Sequence, residues 1–401
     1  MTEFDIVVIG GGLAGSIAAL SLARSGRSVA LIAPPHATDD RRTTALMDQS
    51  IRLMERLALW PRIKPAAAPL CVMQIVDGTN RLLRAPTVAF RSSEVGLDAF
   101  GYNIPNAILG DVLRDAVAAE GNITVFADRA GEIDITADDV TVHLGDQRVV
   151  TAGIAIGADG RHSPLRESAG IGVRRWSYPQ TALVLNFAHS IPHGDVSTEF
   201  HTESGPFTQV PLPGNRSSLV WVLKPEVAAD YSQLPLDELG RRVEARMQSM
   251  LGAVTVEDSV QTWPLSGMMA NRFGKGRVAL IGEAAHAFPP IGAQGLNLSL
   301  RDIITLTEIL SGQAGAPVTA TAGDSFDRRR RADIMTRTAG VDLLNRSLLS
   351  DFLPVQMMRA AGLHLLSGVP PLRGLVMREG IEPGRGLRSL PAFFREKLKR
   401  Q

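Results

Sequence analysis

The chain lacks the residue patterns that mark several common chemistries. Its 401 residues hold one cysteine, Cys71. A single thiol builds neither a disulfide framework nor a multi-cysteine metal site, which suits a reducing, cytoplasmic compartment. The histidines are scattered, and no cluster of metal-ligating residues accompanies them. His162, His189, His193 and His201 are expected to be surface or hydrogen-bonded residues, and no side chain stands out as a catalytic acid or base. The formal net charge is only +1. A nucleic-acid binder would show a basic stripe and a higher pI, so none is expected as partner. At the start, MTEFD offers no basic region before an apolar one, so no secretory signal is expected. Residues 6–23 are apolar enough to raise the question of a membrane span. Gly10, Gly11, Gly12 and Gly15 punctuate them, and strand, turn and helix explain the stretch better. No other segment competes as a transmembrane helix. Internal repeats and low-complexity segments are absent too.

What remains is a chain with 45% hydrophobic residues, enough for a sizeable core. Its length suits two domains or a little more. Residues 5–9 (DIVVI) read as a parallel strand buried on both faces. A Gly-rich turn follows, then a helix over 13–25 and a second strand over 28–32, which makes a strand–helix–strand unit. Helices are expected at 49–58 and 109–119. Residues 70–89 alternate as a half-buried strand would. Residues 123–126, 132–136 and 140–144 read as a small antiparallel meander, and 154–156 as a short buried strand. From about 176 to 264, strand-like runs between Pro/Gly turns indicate a separate, mostly antiparallel sheet with one helix over 237–250. Parallel-sheet character returns at 277–281, followed by helices after Leu296 and over 326–349.

Three stretches carry the chemistry. The first is GGGLAG: Gly10, Gly12, Leu13, Ala14 and Gly15 fit G-x-G-x-x-G after a strand and at a helix start. Gly10 permits the tight turn, Gly12 lets backbone approach a pyrophosphate, and Gly15 lets the helix pack on the sheet. The helix N-terminus supplies free N–H groups and partial positive charge. An acidic residue should close the second strand to hold the adenosine ribose, but Ala33 stands there, and Asp39 and Asp40 come later.

The second is GEAAH, from Gly282 and Glu283, after the strand ending at Ile281. It runs into PPIGAQGLN, which contains Pro289, Gly292, Gly295, Leu296 and Asn297 and opens a helix. A carboxylate at a strand end suits a ribityl or ribose hydroxyl, and a Gly-rich helix start suits an anionic group. The third is GADGRHSPLR, in which Asp159, Gly160, Ser163 and Arg166 form a D-G-x-x-S-x-h-R element.

Together these motifs resemble the aromatic hydroxylase-type FAD-dependent monooxygenases, in which the second motif is usually written G-D-A-A-H. PPIGAQGLN looks especially like the ubiquinone-biosynthesis hydroxylases. The resemblance extends to Arg42 in RTTAL, where the family carries a cofactor-reaching Arg. It also extends to Asn106, where relatives place a polar flavin contact; the following Ala107 departs from a common Arg. It covers the motif-bearing regions to about Asp302, whereas the sheet at 176–264 is similar in texture only.

The resemblance implies an α/β fold: a three-layer, Rossmann-like FAD-binding domain (1–70, 101–175 and 265–350) and an inserted, mostly antiparallel β-sheet substrate domain (71–100 and 176–264). A C-terminal helical tail (351–401) completes it. The cofactor implied is FAD, with NAD(P)H as transient electron donor, since no second complete G-x-G-x-x-G unit exists. The reaction implied is hydroxylation of an aromatic ring with O2 through a flavin C4a-hydroperoxide. The expected substrate is a polyprenylated phenol in ubiquinone biosynthesis. Phe187, Phe200, Phe207, Trp221 and Trp263 could line its pocket, with core packing the commoner role for such residues. The tail, apolar around Met357, Met358 and Leu363 and basic at 395–400, is expected either to dock on the body or to lie peripherally on the inner membrane face or a partner of a biosynthetic complex. Arg328 to Arg331 read as a solvated helical face. The motifs leave two alternatives open: another flavin reaction on the same scaffold, and a non-catalytic flavin-binding subunit.

Overall fold

The computed structural model describes residues 2–35, 40–79, 86–145, 147–202, 204–289, 294–311 and 317–349. From the N-terminus, β1 (Thr2–Ile9), α1 (Leu13–Ala23) and β2 (Val29–Ile32) precede β3 (Thr43–Met47), α2 (Asp48–Arg56), α3 (Trp60–Ile63) and β4 (Ala68–Pro69). Next come β5 (Val72–Asp77), β6 (Val88–Arg91), β7 (Gly101–Pro105), α4 (Asn106–Ala118), β8 (Ile123–Phe126), β9 (Ala130–Ile135), β10 (Val140–Leu144), β11 (Val149–Gly157) and α5 (Pro164–Ser168). The second half holds β12 (Val173–His189), β13 (Val196–Thr202), β14 (Gly205–Leu212), β15 (Arg216–Leu223), α6 (Pro225–Ser232), α7 (Leu236–Arg246), β16 (Val254–Val256) and β17 (Gln261–Ala270). Then follow β18 (Gly274–Lys275), β19 (Val278–Leu280), β20 (His286–Ala287), α8 (Gln294–Leu310) and α9 (Ala322–Leu349).

The first sheet runs β18-β19-β11-β1-β2-β8, with β10 and β9 added beside β11. β1 pairs in parallel with both β11 and β2, and β11 in parallel with β19. Ile6, Val7 and Val8 are fully buried, as expected of a strand covered by helices on both faces. From Gly15 on, every residue of α1 is buried, because it packs between the sheet and the helices α4 and α8.

One strand departs from expectation. Ile123–Phe126 does not belong to the meander; it extends the parallel sheet at its edge, with Val29 opposite Ile123 and Ile32 opposite Phe126. Its exposed Thr124 and Val125 give it a half-solvated pattern, which in a four-residue run reads equally well as antiparallel. The meander itself is β9-β10-β11.

The second sheet runs β20-β17-β12-β15-β14-β13-β5-β6 and is antiparallel apart from the β13–β5 pair. Its two faces differ. Leu183, Leu185, Phe187, Phe200, Phe207, Leu219 and Trp221 face α6 and α7 and form a closed core with Val243 and Met247. The unexpected α6 is part of that cover. The other face carries half-buried Val184, Val210 and Val220, with Val184 opposite Val220 in register. A third small sheet, β3-β7-β4, lies between. Asn103 of β7 donates to the Pro211 carbonyl and the Ser218 hydroxyl of the second sheet, and Thr43 of β3 donates to Ser218.

Candidate functional site at the C-terminal strand ends

Parallel register brings the motifs together. Ile9 is paired with Ile32 and with Gly157, and Gly157 with Leu280. The segments leaving β1, β11 and β19 therefore emerge on one edge of the sheet, where open α/β sheets bind ligands. Gly10 has φ +109°, and a Cβ there would collide with the Ala158 carbonyl. A Cβ at Gly15 would strike the Gly10 carbonyl. Gly282, at φ +58°, lies against α1: an added Cβ would sit 3.4 Å from that of Ala14. Gly12 differs, since nothing lies within 4 Å of its missing Cβ. Close packing thus fixes Gly10 and Gly15, and its positive φ favours glycine at 282, whereas Gly12 fronts open space at a helix start that has no side-chain cap and no acid in its first turn. Leu13, Ala14 and Gly15 offer N–H groups there.

Asp159 reaches this edge from the end of β11. Its Oδ2 accepts the Leu165 N–H at 3.2 Å, while Oδ1 is buried without a partner. Burial pushes its carboxyl pKa up, with the Ser163 hydroxyl, the Leu165 amide and Arg166 offsetting part of the rise. An orphaned acceptor beside an uncapped helix start and an open glycine fits a hydroxyl-bearing, anionic dinucleotide such as FAD.

Glu283 is exposed and held at 3.1 Å by Arg161, whose other terminal nitrogen donates to Ser266 at 2.7 Å. Arg166 is buried: it donates to the Ala284 carbonyl and to the Arg161 carbonyl, each at 2.9 Å, and so fastens the third motif to the second. Arg42 grips Asp40 through two 2.7 Å hydrogen bonds and lies 5.0 Å from the Trp263 ring. Asn106 accepts from Thr44 and donates to the same Asp40. Burial raises the Asp40 pKa, but Arg42 and Asn106 outweigh it and the net shift is down. The hydrogen bond to Asp40 raises the Arg42 pKa, and Glu283 adds to the rise. Asn106 is the first residue of α4, three positions before the expected helix start.

At α8, Gln294, Gly295, Leu296 and Asn297 form the first turn, and the N–H groups of that turn have no intrahelical partner. No atom lies within 4 Å of a Cβ built on Gly295, and Pro289 is buried. The Asn297 side chain is committed elsewhere. Its Oδ1 accepts from the Met47 N–H and the Ser50 hydroxyl, and its Nδ2 donates to the Ala45 carbonyl. It pins α8 to β3 and α2. Gly292, Asp39 and the tail 351–401 lie outside the described residues.

Of the open readings of the sequence, most of the aromatics take the commoner core role, the histidines are exposed or hydrogen-bonded, and Arg330 departs from expectation. Phe187, Phe200, Phe207 and Trp221 lie on the helix-covered face of the second sheet and pack in its core; they do not line a pocket beside the motifs. Only Trp263 stands on the opposite face, 45% exposed. Arg330 is not part of a solvated face: it is buried and bonded to Asp302, which also binds His286. His189 and His201 are buried and hydrogen-bonded, and His162 is exposed. Among the described residues, no group of three or more metal-ligating side chains is placed to hold a metal. No helix among them is long and apolar enough to cross a membrane.

Comparison with known proteins shows the family and the fold. The family model described as FAD binding domain matches residues 3–338. Ubiquinone hydroxylase UbiL of Rhodospirillum rubrum is 32% identical, with 96% of this chain and 93% of that protein covered. The 3-demethoxyubiquinol 3-hydroxylase of Escherichia coli is 28% identical over 96% of this chain and 98% of its own length. Among solved structures, p-nitrophenol 4-monooxygenase PnpA of Pseudomonas putida superposes with a TM-score of 0.78 at 19% identity, covering 96% of this chain and all of that one. HpxO of Klebsiella pneumoniae, complexed with FAD and uric acid, gives 0.73 at 18% identity over 95% and 96%.

Proposed function

The chain belongs to the FAD binding domain family and is an FAD-dependent monooxygenase, and on that premise we propose that it hydroxylates a polyprenylated phenol in ubiquinone biosynthesis, using NAD(P)H and O2. The observation that carries this reading is the meeting of three distant motifs on one sheet edge, in a chain whose likeness to the ubiquinone hydroxylases runs nearly end to end. FAD, when bound, supplies the redox chemistry: it accepts a hydride and activates O2 for transfer of one oxygen atom.

The protein's part is to hold, orient and seal. Gly10, Gly12, Leu13, Ala14 and Gly15 would cradle the pyrophosphate with backbone N–H groups. Asp159 Oδ1 would accept a cofactor hydroxyl, as would Glu283 beside Gly282. The first-turn N–H groups of α8, from Gly295 to Asn297, would face the ring atoms that become negative on reduction. Pro289, buried before that helix, would border the same region. Arg42 and Asn106, braced by Asp40, would border the cofactor from the opposite side.

The division of labour we propose gives residues 1–70, 101–175 and 265–350 to the cofactor and 71–100 and 176–264 to the substrate. The half-buried face around Val184, Val210 and Val220 suits an apolar aromatic ring better than the closed face does. Exclusion of water from the flavin ring would limit loss of activated oxygen.

Incubating the FAD-loaded protein with NAD(P)H, 18O2 and a polyprenylated phenol should place one labelled oxygen on the ring. A product without 18O excludes monooxygenation of that substrate. Deleting the gene in its host should make an under-hydroxylated quinone precursor accumulate. Purified protein that is colourless and takes up no FAD would favour a role without turnover.

A further inference from the structure

Behind the Gly282–Ala287 turn lies a line of buried charges with no part in the steps above. His286 Nε2 donates to Asp302 Oδ2 at 2.6 Å, and Arg330 Nε donates to Asp302 Oδ1 at 2.8 Å. Their side chains are 1%, 0% and 7% exposed. Arg330 goes on to Asp333 at 2.7 Å, and Arg337 holds the other Asp333 oxygen at 2.9 Å. Arg301 approaches Asp333 at 3.8 Å.

The members come from three separate elements, of which α8 and α9 also pack on each other. His286 sits in β20, which pairs with β17 of the second sheet. Asp302 sits in α8, whose first turn fronts the cofactor edge. Arg330 sits in α9, which packs on β18 and β19 of the first sheet. One carboxylate therefore clamps both ends of the chain running from β20 to α8. The Phe288 ring stacks on His286 at 5.3 Å and 21°.

Buried ionic networks are weak sources of stability, because a well-packed apolar core of equal volume is often as stable. What they supply is a fixed arrangement, since removing one member leaves a buried charge uncompensated. An arrangement that ties β20 of the second sheet, α8 and α9 at one point bears on where α8 lies.

We propose that His286 and Asp302, with Arg330 behind them, are positioning residues for FAD: they set the pose of the α8 first turn, relative to β20, against the flavin ring. The proposal rests on the FAD reading above.

The test uses full-length holoprotein. His286→Phe keeps an aromatic ring and removes the donor; His286→Gln restores a donor. For each, FAD release is followed by flavin fluorescence, the visible flavin spectrum is recorded, and unfolding is followed separately by far-UV circular dichroism. His286→Phe should release FAD at least tenfold faster with a shifted spectrum, at a temperature where the protein remains folded. His286→Gln should stay within about threefold of the parent. If His286→Phe does not fold, Arg330→Lys and Arg330→Met carry the test at the end remote from the cofactor, with faster release expected only for methionine. Holoprotein variants that release FAD at the parental rate with the parental spectrum overturn the relay. So does release that accelerates only together with unfolding. A parent chain that binds no FAD instead overturns the cofactor reading.

Discussion

Replacing Asp159 by Asn should stabilise the empty protein and weaken its hold on FAD. In the folded chain Asp159 Oδ1 is buried and unpaired, and burial lifts the carboxyl pKa above its ordinary value of 3.8. A raised carboxyl pKa means that ionisation opposes folding. The penalty is absent below the unfolded value, grows between the unfolded and folded values, and is complete above the folded value. An orphaned buried acceptor costs about 1–3 kcal/mol. The amide of Asn removes the charge and can keep the Leu165 contact through its oxygen, although its NH2 then takes the unpaired position, so the apoprotein is expected to gain stability at pH 7 only through loss of the buried charge. The gain should shrink as pH falls toward 3.8. The holoprotein should respond in the opposite sense. A hydroxyl donating to a carboxylate contributes about 1.5–3 kcal/mol, so the FAD Kd should rise by roughly 10- to 150-fold. Urea unfolding of the apoprotein and flavin-quenching titrations read the two effects separately. An Asp159→Asn variant that is no more stable when empty and binds FAD as tightly would falsify the assignment of the free oxygen to the cofactor.

Four further outcomes follow from the same geometry. Gly12→Ala should fold normally, because its Cβ meets open space, yet lose FAD affinity by about tenfold or more. Gly15→Ala, whose Cβ would collide with the Gly10 carbonyl, should lose several kcal/mol of stability; calorimetry with FAD titration separates them. Asn297→Ala removes three hydrogen bonds between α8 and the β3–α2 segment, each contributing about 1 kcal/mol. Its thermal midpoint should fall in the apoprotein as well as the holoprotein, and a fall confined to the holoprotein would show that the side chain serves the cofactor. Asp40 has a depressed folded pKa, so its contribution is present above 3.8 and lost as pH falls through the folded value. An acid-unfolding profile of Asp40→Asn should lack that part of the low-pH loss shown by the parent.

Much of the fold is legible in the residues because the relevant forces are local. A buried strand, a glycine turn and an uncapped helix leave a contiguous signature, and β1, α1 and β2 depart from expectation only at their ends. Side-chain commitments are not legible. Nothing near Asn297 in the chain announces that its amide is taken by Ala45, Met47 and Ser50, some 250 residues away. Four arginines in a row suggest a wet helix face, yet one turns inward because Asp302 and Asp333 are there to receive it. Strand-like runs between turns locate the second sheet but cannot say which face Phe207 and Trp221 occupy. That depends on α6 and α7 covering one side. Asp40 reads in the sequence as a stray acid; its role as the brace of Arg42 and Asn106 emerges only in three dimensions.

The separation between Met47 and Asn297 has a consequence for biosynthesis of the protein. A ribosome that has delivered β1, α1 and β2 has delivered half a berth. The remaining wall emerges only when α8 leaves the exit tunnel, and Arg330 later still. Nascent chains must therefore wait, with long-range contacts unmade, before they can capture a flavin. Cells short of riboflavin should accumulate this protein as completed, empty chains rather than as stalled fragments.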